Sequence, residues 1–268
     1  MLGYPLGMGR PIPAVAGTTR GIFKMKKQVA FLGAAAAALM MAGTAHADGG
    51  YVGLSYNNNN DSDVNSWTID GAFATQMFQF DAGYTNFDDI DANEWNVGAH
   101  LFSRNDQWLW GGFLGYDTIS GSGDDINEWT VALQTQFYMP RTTISGDLSY
   151  SQISDAPLFG DLNTTQITGE ARFFATDNFS LQGNLGWGNL DSDFGSGNFW
   201  SYGVGAEWQA DSFPVSLFAG WQGFSSDDFD SNGSWRIGIR YNWGGTLLER
   251  NRSGAGLNSP GGFLGAIL

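Results

Sequence analysis

Cysteine is absent from this sequence of 268 residues, which excludes a disulfide framework and any metal site built on thiolates. Positive charge is scarce as well: 12 Lys and Arg stand against 27 Asp and Glu, a formal net charge of −15. Phosphate binding requires clustered positive charge, so this balance argues against nucleic acid as a partner. Glycine and aromatic residues are abundant instead, with 39 Gly, 20 Phe, 11 Trp and 9 Tyr, and such an aromatic content argues against a disordered chain.

The N-terminal part has the composition of an export signal. Residues 25–47 begin with Met-Lys-Lys, continue with an apolar run and end on Ala-His-Ala, which is the order of a secretory signal peptide and its cleavage site. The apolar run over 29–42 is too short to span a bilayer as a helix. We predict a signal peptide over 25–47, preceded over 1–24 by an upstream extension or a mis-assigned translation start. The exported chain then has 7 Arg, no Lys and all 27 acids, a net charge of −20.

Long apolar runs are also missing beyond residue 47, where no 18 consecutive residues are apolar, so a helical membrane protein is excluded. What is present almost throughout is the alternation of apolar and polar residues, clearest over 235–243. Because successive strand side chains point to opposite faces, each such segment predicts a strand with one apolar and one polar or small face. Each is about 8–11 residues, the length that a tilted strand needs to cross a bilayer. The predicted strands are 50–57, 65–74, 78–86, 94–103, 107–117, 128–138, 142–151, 165–174, 179–188, 199–208, 214–223 and 234–243.

The predicted connections alternate between five short turns and six long loops, and both ends of the strand array lie on the short-turn side. The long loops run approximately over 57–64, 86–94, 118–128, 152–164, 189–198 and 224–233.

The long loops are rich in acidic residues, which would form a negatively charged rim at that end of the strand array. Such a rim would attract cations over about a Debye length, and its carboxylates also offer oxygen ligands to divalent ions. The alternative is that these charges only keep the loops solvated, and no loop has the complete calcium-loop pattern. The loops hold 16 acids and no base: Asp61, Asp63, Asp88, Asp89, Asp91, Glu94, Asp124, Asp125, Glu128, Asp155, Asp161, Asp191, Asp193, Asp227, Asp228 and Asp230.

An internal repeat marks the points where the long loops return to a strand. Each return carries Asn, often in the pattern Asp-x-Asn-x-Trp, and successive Asn residues are 28, 34, 36, 35 and 34 apart. The repeating unit is therefore a strand–turn–strand–loop module present six times. We expect Asn to supply turn chemistry and the Trp rings to lie at a membrane–water boundary. The predicted interfacial girdle is Trp67, Trp95, Trp129, Trp200 and Trp235.

The export signal, the twelve alternating segments and the loop-side Trp residues resemble the porin-like outer-membrane β-barrels of Gram-negative bacteria. The resemblance covers nearly all of residues 48–243 and is architectural. It implies an all-β fold: a transmembrane antiparallel up-and-down β-barrel of about 12 strands, located in the bacterial outer membrane. Such barrels usually end on an aromatic strand, which 239–243 would supply, yet 25 residues follow. Residues 244–268 are expected to form a periplasmic C-terminal tail or a segment tucked into the barrel mouth.

The polar faces of the predicted strands carry the candidate functional residues. They could form a selectivity lining in a water-filled lumen, or a network of ion pairs that simply fills the barrel. Twelve strands lie between the filled eight-stranded barrels and the open sixteen-stranded ones, and the many inward Gly and Ser favour a narrow pore. The predicted lumen-lining residues are Asp70, Asp81, His100, Asp147, Glu170, Arg172, Glu207, Arg236 and Arg240.

The resulting hypothesis is a passive, cation-preferring diffusion channel for small hydrophilic solutes. The alternative is a non-conducting structural or surface-interaction barrel whose acidic loops bind divalent ions. We expect no enzymatic activity, because His100 has no nucleophile arranged near it in the sequence, and no cofactor or dedicated metal site. The expected partners are outer-membrane lipid, lipopolysaccharide and small solutes or ions. The outward face lacks polar patches, which suggests a monomer.

Overall fold

The computed structural model describes residues 48–59, 64–88, 90–121, 125–156, 160–192, 195–226 and 232–260. The predicted signal peptide and the upstream extension lie outside these ranges. The described residues form twelve strands followed by one short helix, α1 (Leu247–Ser253). The strands are β1 (Gly49–Asn59), β2 (Asn65–Ala74), β3 (Phe78–Phe87), β4 (Ala92–Arg104), β5 (Trp108–Ser120), β6 (Ile126–Met139), β7 (Thr142–Ala156), β8 (Gly160–Thr176), β9 (Phe179–Ser192), β10 (Gly195–Gln209), β11 (Val215–Ser226) and β12 (Asn232–Trp243).

The strands form one closed, antiparallel sheet. Each strand pairs with its neighbours in sequence, and β1 also pairs with β12 from Gly50 opposite Trp243 to Asn59 opposite Ser234. This last pairing leaves no sheet edge, as a barrel requires. The predicted fold class, an up-and-down antiparallel β-barrel of twelve strands, is confirmed.

The strands are longer than predicted on the long-loop side. Strands β7, β8 and β10 contain 15, 17 and 15 residues, so the connections predicted over 152–164 and 189–198 shorten to a few residues. The loop predicted over 118–128 shortens likewise, because β5 continues to Ser120 and β6 begins at Ile126. Long loops at these three places were therefore a wrong prediction.

Apolar residues that the loop interpretation overlooked account for this extension. Ile153 and Leu162 are 2% and 3% exposed and pack against Ile119, Ile126 and Leu190 inside the loop-side end of the barrel. Burial of this apolar cluster inside the barrel stabilises the ends of these strands. The hydrogen-bonded pairing of the strands therefore continues towards the long-loop end, beyond the apolar part of the outer face. The interior at this end is thus not uniformly polar.

The repeated Asn residues also differ from the prediction. They lie within strands, not in turns, and several bond across to the neighbouring strand. Tyr116 and Tyr150 donate hydroxyl hydrogen bonds of 2.7 and 2.8 Å to the side-chain oxygens of Asn127 and Asn163. The repeat therefore marks cross-strand pairs, which a single strand does not reveal.

The outward face carries a continuous belt of large apolar side chains exposed to the surroundings. The strand alternation places these residues outside, as predicted, and leaves the charged ones inside. No helix in the described ranges is long and apolar enough to cross a membrane. Prominent belt residues are Leu54, Val97, Leu101, Leu114, Val131, Leu133, Leu148, Ile167, Leu185, Val204, Leu217, Ile237 and Ile239.

A glycine in β12 permits close packing inside the barrel. A Cβ atom at Gly238 would lie 2.4 Å from the Phe218 ring and 2.6 Å from the Leu54 carbonyl oxygen. We expect Gly238→Val to destabilise the barrel by about 1–3 kcal/mol through overpacking. The measurement is the fraction of refolded protein that migrates differently on a gel before and after boiling. The control is Gly169→Val, at an outward site where a Cβ atom meets nothing within 4 Å. Equal loss of the heat-modifiable form in both variants would contradict the prediction.

Candidate functional site: the barrel lumen and its C-terminal segment

Residues 244–260, called here the C-terminal segment, turn back from β12 into the barrel at its short-turn end. The reversal uses Gly244 and Gly245, whose φ angles of 92° and 98° favour glycine. Helix α1 then starts at a capping box. Thr246 Oγ1 accepts a hydrogen bond from the Glu249 backbone N–H, and the Glu249 carboxylate accepts one of 2.8 Å from the Thr246 N–H. The two capping hydrogen bonds at its start explain how a helix of only seven residues can form.

Helix α1 is held by its polar side chains. Arg250 is 5% exposed and donates to both carboxylate oxygens of Glu207, at 3.2 and 3.0 Å, as well as to Asn242. Asn251 accepts a 2.5 Å hydrogen bond from Thr143 Oγ1 on the opposite side of the barrel. Burial lowers the pKa of the Arg250 guanidinium, and the charge of Glu207 offsets part of this effect. The helix is thereby fixed to β10, β12 and β7 together.

The stretch after the helix is extended and bonds mainly through its backbone. The Gln79 side chain pairs with Leu257, accepting from its N–H at 3.1 Å and donating to its carbonyl at 2.7 Å. Gln136 and Gln134 donate to the carbonyls of Gly256 and Asn258. Because these glutamines belong to β3 and β6, and Asn242 to β12, the C-terminal segment crosses the mouth from wall to wall.

Four predicted lumen residues meet the tip of the C-terminal segment or its immediate neighbours. Asp81 bonds to His100, which is 1% exposed, and accepts a 3.1 Å hydrogen bond from the Ser259 hydroxyl. Glu170 and Arg172 form an ion pair of 3.1 Å and both contact the Asn258 side chain. The sequence predicted that these residues face inward, and a tail tucked into the mouth was one of its two alternatives, but it did not predict which lumen residues the tail would contact.

Four more predicted residues form a second group beside helix α1. Glu207 binds Arg240 at 3.1 Å, and Asp70 lies 3.4 Å from Arg236 and 3.9 Å from Arg240. The Arg240 guanidinium also stacks over Phe218, 4.1 Å from the ring centroid. Together with Arg250, the group concentrates three guanidiniums and two carboxylates on the wall formed by β10, β12, β1 and β2.

The ninth predicted residue, Asp147, lies near Glu170 of the first group and on the same wall. It faces the interior from β7, opposite Gln134 and Thr168, and is half-buried.

A cavity of about 140 Å³ lies against the arginine-bearing wall, between Gln182, Asn184, Gln222 and Arg236. The space is polar and roomy enough for water.

The loop acids divide into four sets, and two of them correct the prediction. Glu94 and Glu128 are strand residues facing the interior, and Glu128 is fully buried with Asp117 directly opposite it. Asp161 and Asp191 also lie on strands, because β8 and β9 extend past the predicted loop boundary. The described loop acids are Asp88, Asp91 and Asp125. The remaining predicted rim lies outside what the structure describes: Asp61, Asp63, Asp89, Asp124, Asp193, Asp227, Asp228, Asp230 and the side chain of Asp155.

The five predicted girdle residues all lie on the outside, near the long-loop end. Trp129, Trp200 and Trp235 are about half exposed, and Trp67 and Trp95 flank the Tyr84 ring at 5.6 and 5.5 Å. Sequence reasoning did not predict the Tyr residues that complete this band. It also did not predict a second outward aromatic band at the short-turn end, which contains Phe73, Phe78, Phe80, Trp108, Trp110, Phe137, Phe173, Trp208, Phe213 and Tyr241.

No protein-family model and no curated protein matches the chain. Solved outer-membrane barrels do match its fold. The NanC porin aligns with a TM-score of 0.54 at 11% identity, over 71% of this chain and 98% of that one. The KdgM porin in complex with disordered oligogalacturonate gives 0.49 at 13%, over 71% and 98%. Outer-membrane expressed OmpT of Vibrio cholerae gives 0.46 at 8%, over 73% and 96%.

The predicted resemblance to porin-like outer-membrane barrels is confirmed at the level of fold. Identities this low show the architecture and leave function to be argued from the chain's own residues.

The partly buried ion pairs of the lumen should contribute more to stability than an exposed pair in the short turns. We expect Asp70→Ala to lower the free energy of unfolding by about 1–3 kcal/mol, because it removes a carboxylate shared by Arg236 and Arg240. The matched control is Asp177→Ala, which breaks a pair with Arg141 whose side chains are half exposed, at a cost of about 0–1 kcal/mol. Urea unfolding in lipid vesicles, followed by Trp fluorescence, measures both. A control effect as large as that of Asp70→Ala would refute the comparison.

Proposed function

We propose that the protein is an outer-membrane β-barrel that acts as a passive, cation-preferring diffusion channel for small hydrophilic solutes. The observation that carries this proposal is the separation of the two sheet faces. The outside is an exposed apolar belt, whereas the inside carries the charged and polar side chains. A closed sheet with this polarity suits a hydrocarbon environment around a hydrophilic interior.

The outer surface supports a membrane location. The apolar belt is bordered by one aromatic band near the long-loop end and another at the short-turn end. Paired aromatic girdles are typical of outer-membrane barrels, in which the rings lie at the two membrane–water boundaries. The exposed belt would be a large aggregation-prone surface on a protein dissolved in water. The fold similarity to the NanC porin agrees with this location.

The distribution of charge inside the barrel supports a preference for cations. The positive side chains of Arg236, Arg240 and Arg250 lie with the carboxylates of Asp70 and Glu207. Towards the long-loop end, Glu94, Asp117 and Glu128 face the interior together from β4, β5 and β6. A solute arriving from that end therefore meets a negative potential, which concentrates cations and repels anions.

Cation preference can be tested by recording the reversal potential of the refolded protein in a planar bilayer under a salt gradient. We expect Glu94→Gln/Asp117→Asn to lower the cation-over-anion permeability ratio by about twofold or more, because it removes two inward carboxylates at the acidic end. The control is Asp106→Asn, an exposed acid in the turn at the other end.

A wild-type reversal potential that indicates anion preference would overturn the selectivity argument. The channel would be overturned if stepwise conductance is absent both from the wild-type protein and from an Arg250→Ala variant, in which the C-terminal segment loses its ion pair with Glu207.

A second candidate function is a non-conducting structural or surface-interaction barrel. The observation that favours it is the C-terminal segment, which crosses the short-turn mouth. This function predicts loop-dependent binding of lipopolysaccharide or divalent ions that a chelator abolishes, without conductance. No cluster of three or more His, Asp and Glu side chains suited to a metal is found in the described part of the chain.

A further inference from the structure

We propose that the C-terminal segment is an autoinhibitory plug, which closes the lumen at the short-turn end and must leave it before solutes can pass. This inference rests on the proposed channel function and adds a closed state to it. Three features carry it: the position of the segment across the mouth, the polar character of its contacts, and the hinge at its start.

The position comes from contacts with opposite walls. Asn242 of β12 and Gln136 of β6 belong to strands half a turn apart in the ring of twelve, and both bond to the segment. Between them, Gly254, Ala255, Gly256 and Leu257 are all buried. A solute moving along the barrel axis would meet this stretch of backbone, so passage requires that the segment move.

The contacts are of a kind that water can replace. Three side chains of the segment, Leu247, Ala255 and Leu257, are buried apolar groups, and the last two join small apolar clusters of the wall. The other contacts are hydrogen bonds, the ion pair with Glu207 and two arginine–tyrosine ring contacts. A permanent piece of core would bury far more apolar surface, and each exchanged hydrogen bond contributes little net free energy. Departure of the segment would therefore be far less costly than unfolding of a strand.

The wall that departure would expose is mostly hydrophilic, and its apolar parts are Phe102, Leu109 and Tyr138 around Leu257 and Ala72 and Ala74 beside Ala255. Its polar side chains are Gln79, Asp81, Gln134, Gln136, Thr143, Glu170, Arg172 and Glu207. An apolar wall would favour dewetting of the lumen, whereas these side chains hydrate readily. Several of them are the residues predicted as a selectivity lining, so the segment occupies the place that the lining offers to solutes.

The hinge is the Gly244–Gly245 pair directly after β12. Both residues have positive φ, and a Cβ atom at Gly244 would lie 2.5 Å from Gly49 and 2.6 Å from the Asp48 carbonyl oxygen. Within the described residues, this pair is the only covalent connection between the segment and the barrel wall. Glycines change φ and ψ at little steric cost, so the segment can swing without disturbing the β1–β12 ladder.

The central experiment uses the absence of native cysteine. In the full-length Thr143→Cys/Asn251→Cys variant, the two new thiols replace side chains that are hydrogen-bonded at 2.5 Å, and no other thiol competes. Oxidation should lock the segment in the mouth. We expect single-channel openings in the reduced protein, their loss on oxidation and their return on adding a reducing agent.

A second measurement reports movement of the segment without relying on conductance. Asn251 is 2% exposed, so a full-length Asn251→Cys variant should react slowly with a membrane-impermeant maleimide. Adding Arg250→Ala removes the ion pair with Glu207 and should raise both the labelling rate and the open fraction about tenfold. The control is Arg141→Ala, which deletes an exposed arginine at the same end and should change neither.

The outcomes separate the plug from the channel. If the oxidised and reduced forms conduct equally, solutes pass beside the segment, so the plug is refuted while the channel stands. Unchanged labelling in the Arg250→Ala background would also refute the plug. If neither redox form conducts and Arg250→Ala is silent too, the channel itself fails and the plug fails with it.

Discussion

Hydrogen bonding between β1 and β12 is the constraint on which the rest of this structure depends, because it removes the last two free edges of the sheet. A closed sheet satisfies its backbone polar groups internally, which is the condition for placing strands in hydrocarbon. Closure also turns the simple alternation of side chains into an inside and an outside. The apolar residues then form an exposed belt, and every charged strand residue near mid-barrel has to share a narrow interior.

That shared interior explains the pairing of the lumen charges. Charges withdrawn from water are costly unless they are compensated, and here Asp70, Glu207 and Glu170 each lie beside an arginine. The C-terminal segment makes use of the same arrangement. Arg250 joins the Glu207 group, and Asn258 and Ser259 reach the acidic groups on the far wall. Lumen lining and closure of the mouth therefore involve one set of side chains, and a solute and the segment cannot contact them simultaneously.

Much of the fold could be predicted from the sequence, because period-two alternation is a local property. It placed Leu133 and Ile237 outside, His100 and Glu207 inside, and it indicated the number of strands. The prediction was weaker wherever pairing between strands decides the outcome. The sequence alone suggests that Glu128 is a loop acid and Asn127 a turn residue. In the structure β6 begins before both of them, and Tyr116 of the preceding strand β5 donates a hydrogen bond to Asn127. Register brings such partners together, and one strand carries little information about it.

The sequence by itself determined the two-faced character of each strand and the excess of acid over base, since composition and spacing are local quantities. Only the tertiary structure decided which charges meet. His100 contacts Asp81 and Gln134, Arg250 contacts Glu207, and Gln79 pairs with Leu257, although up to 178 residues separate the partners. It also decided the path of the last described residues, because two glycines after β12 allow the chain to enter the barrel instead of leaving it. Those contacts arise from ring closure and from the geometry of one turn, and neither is visible in the periodicity of the chain.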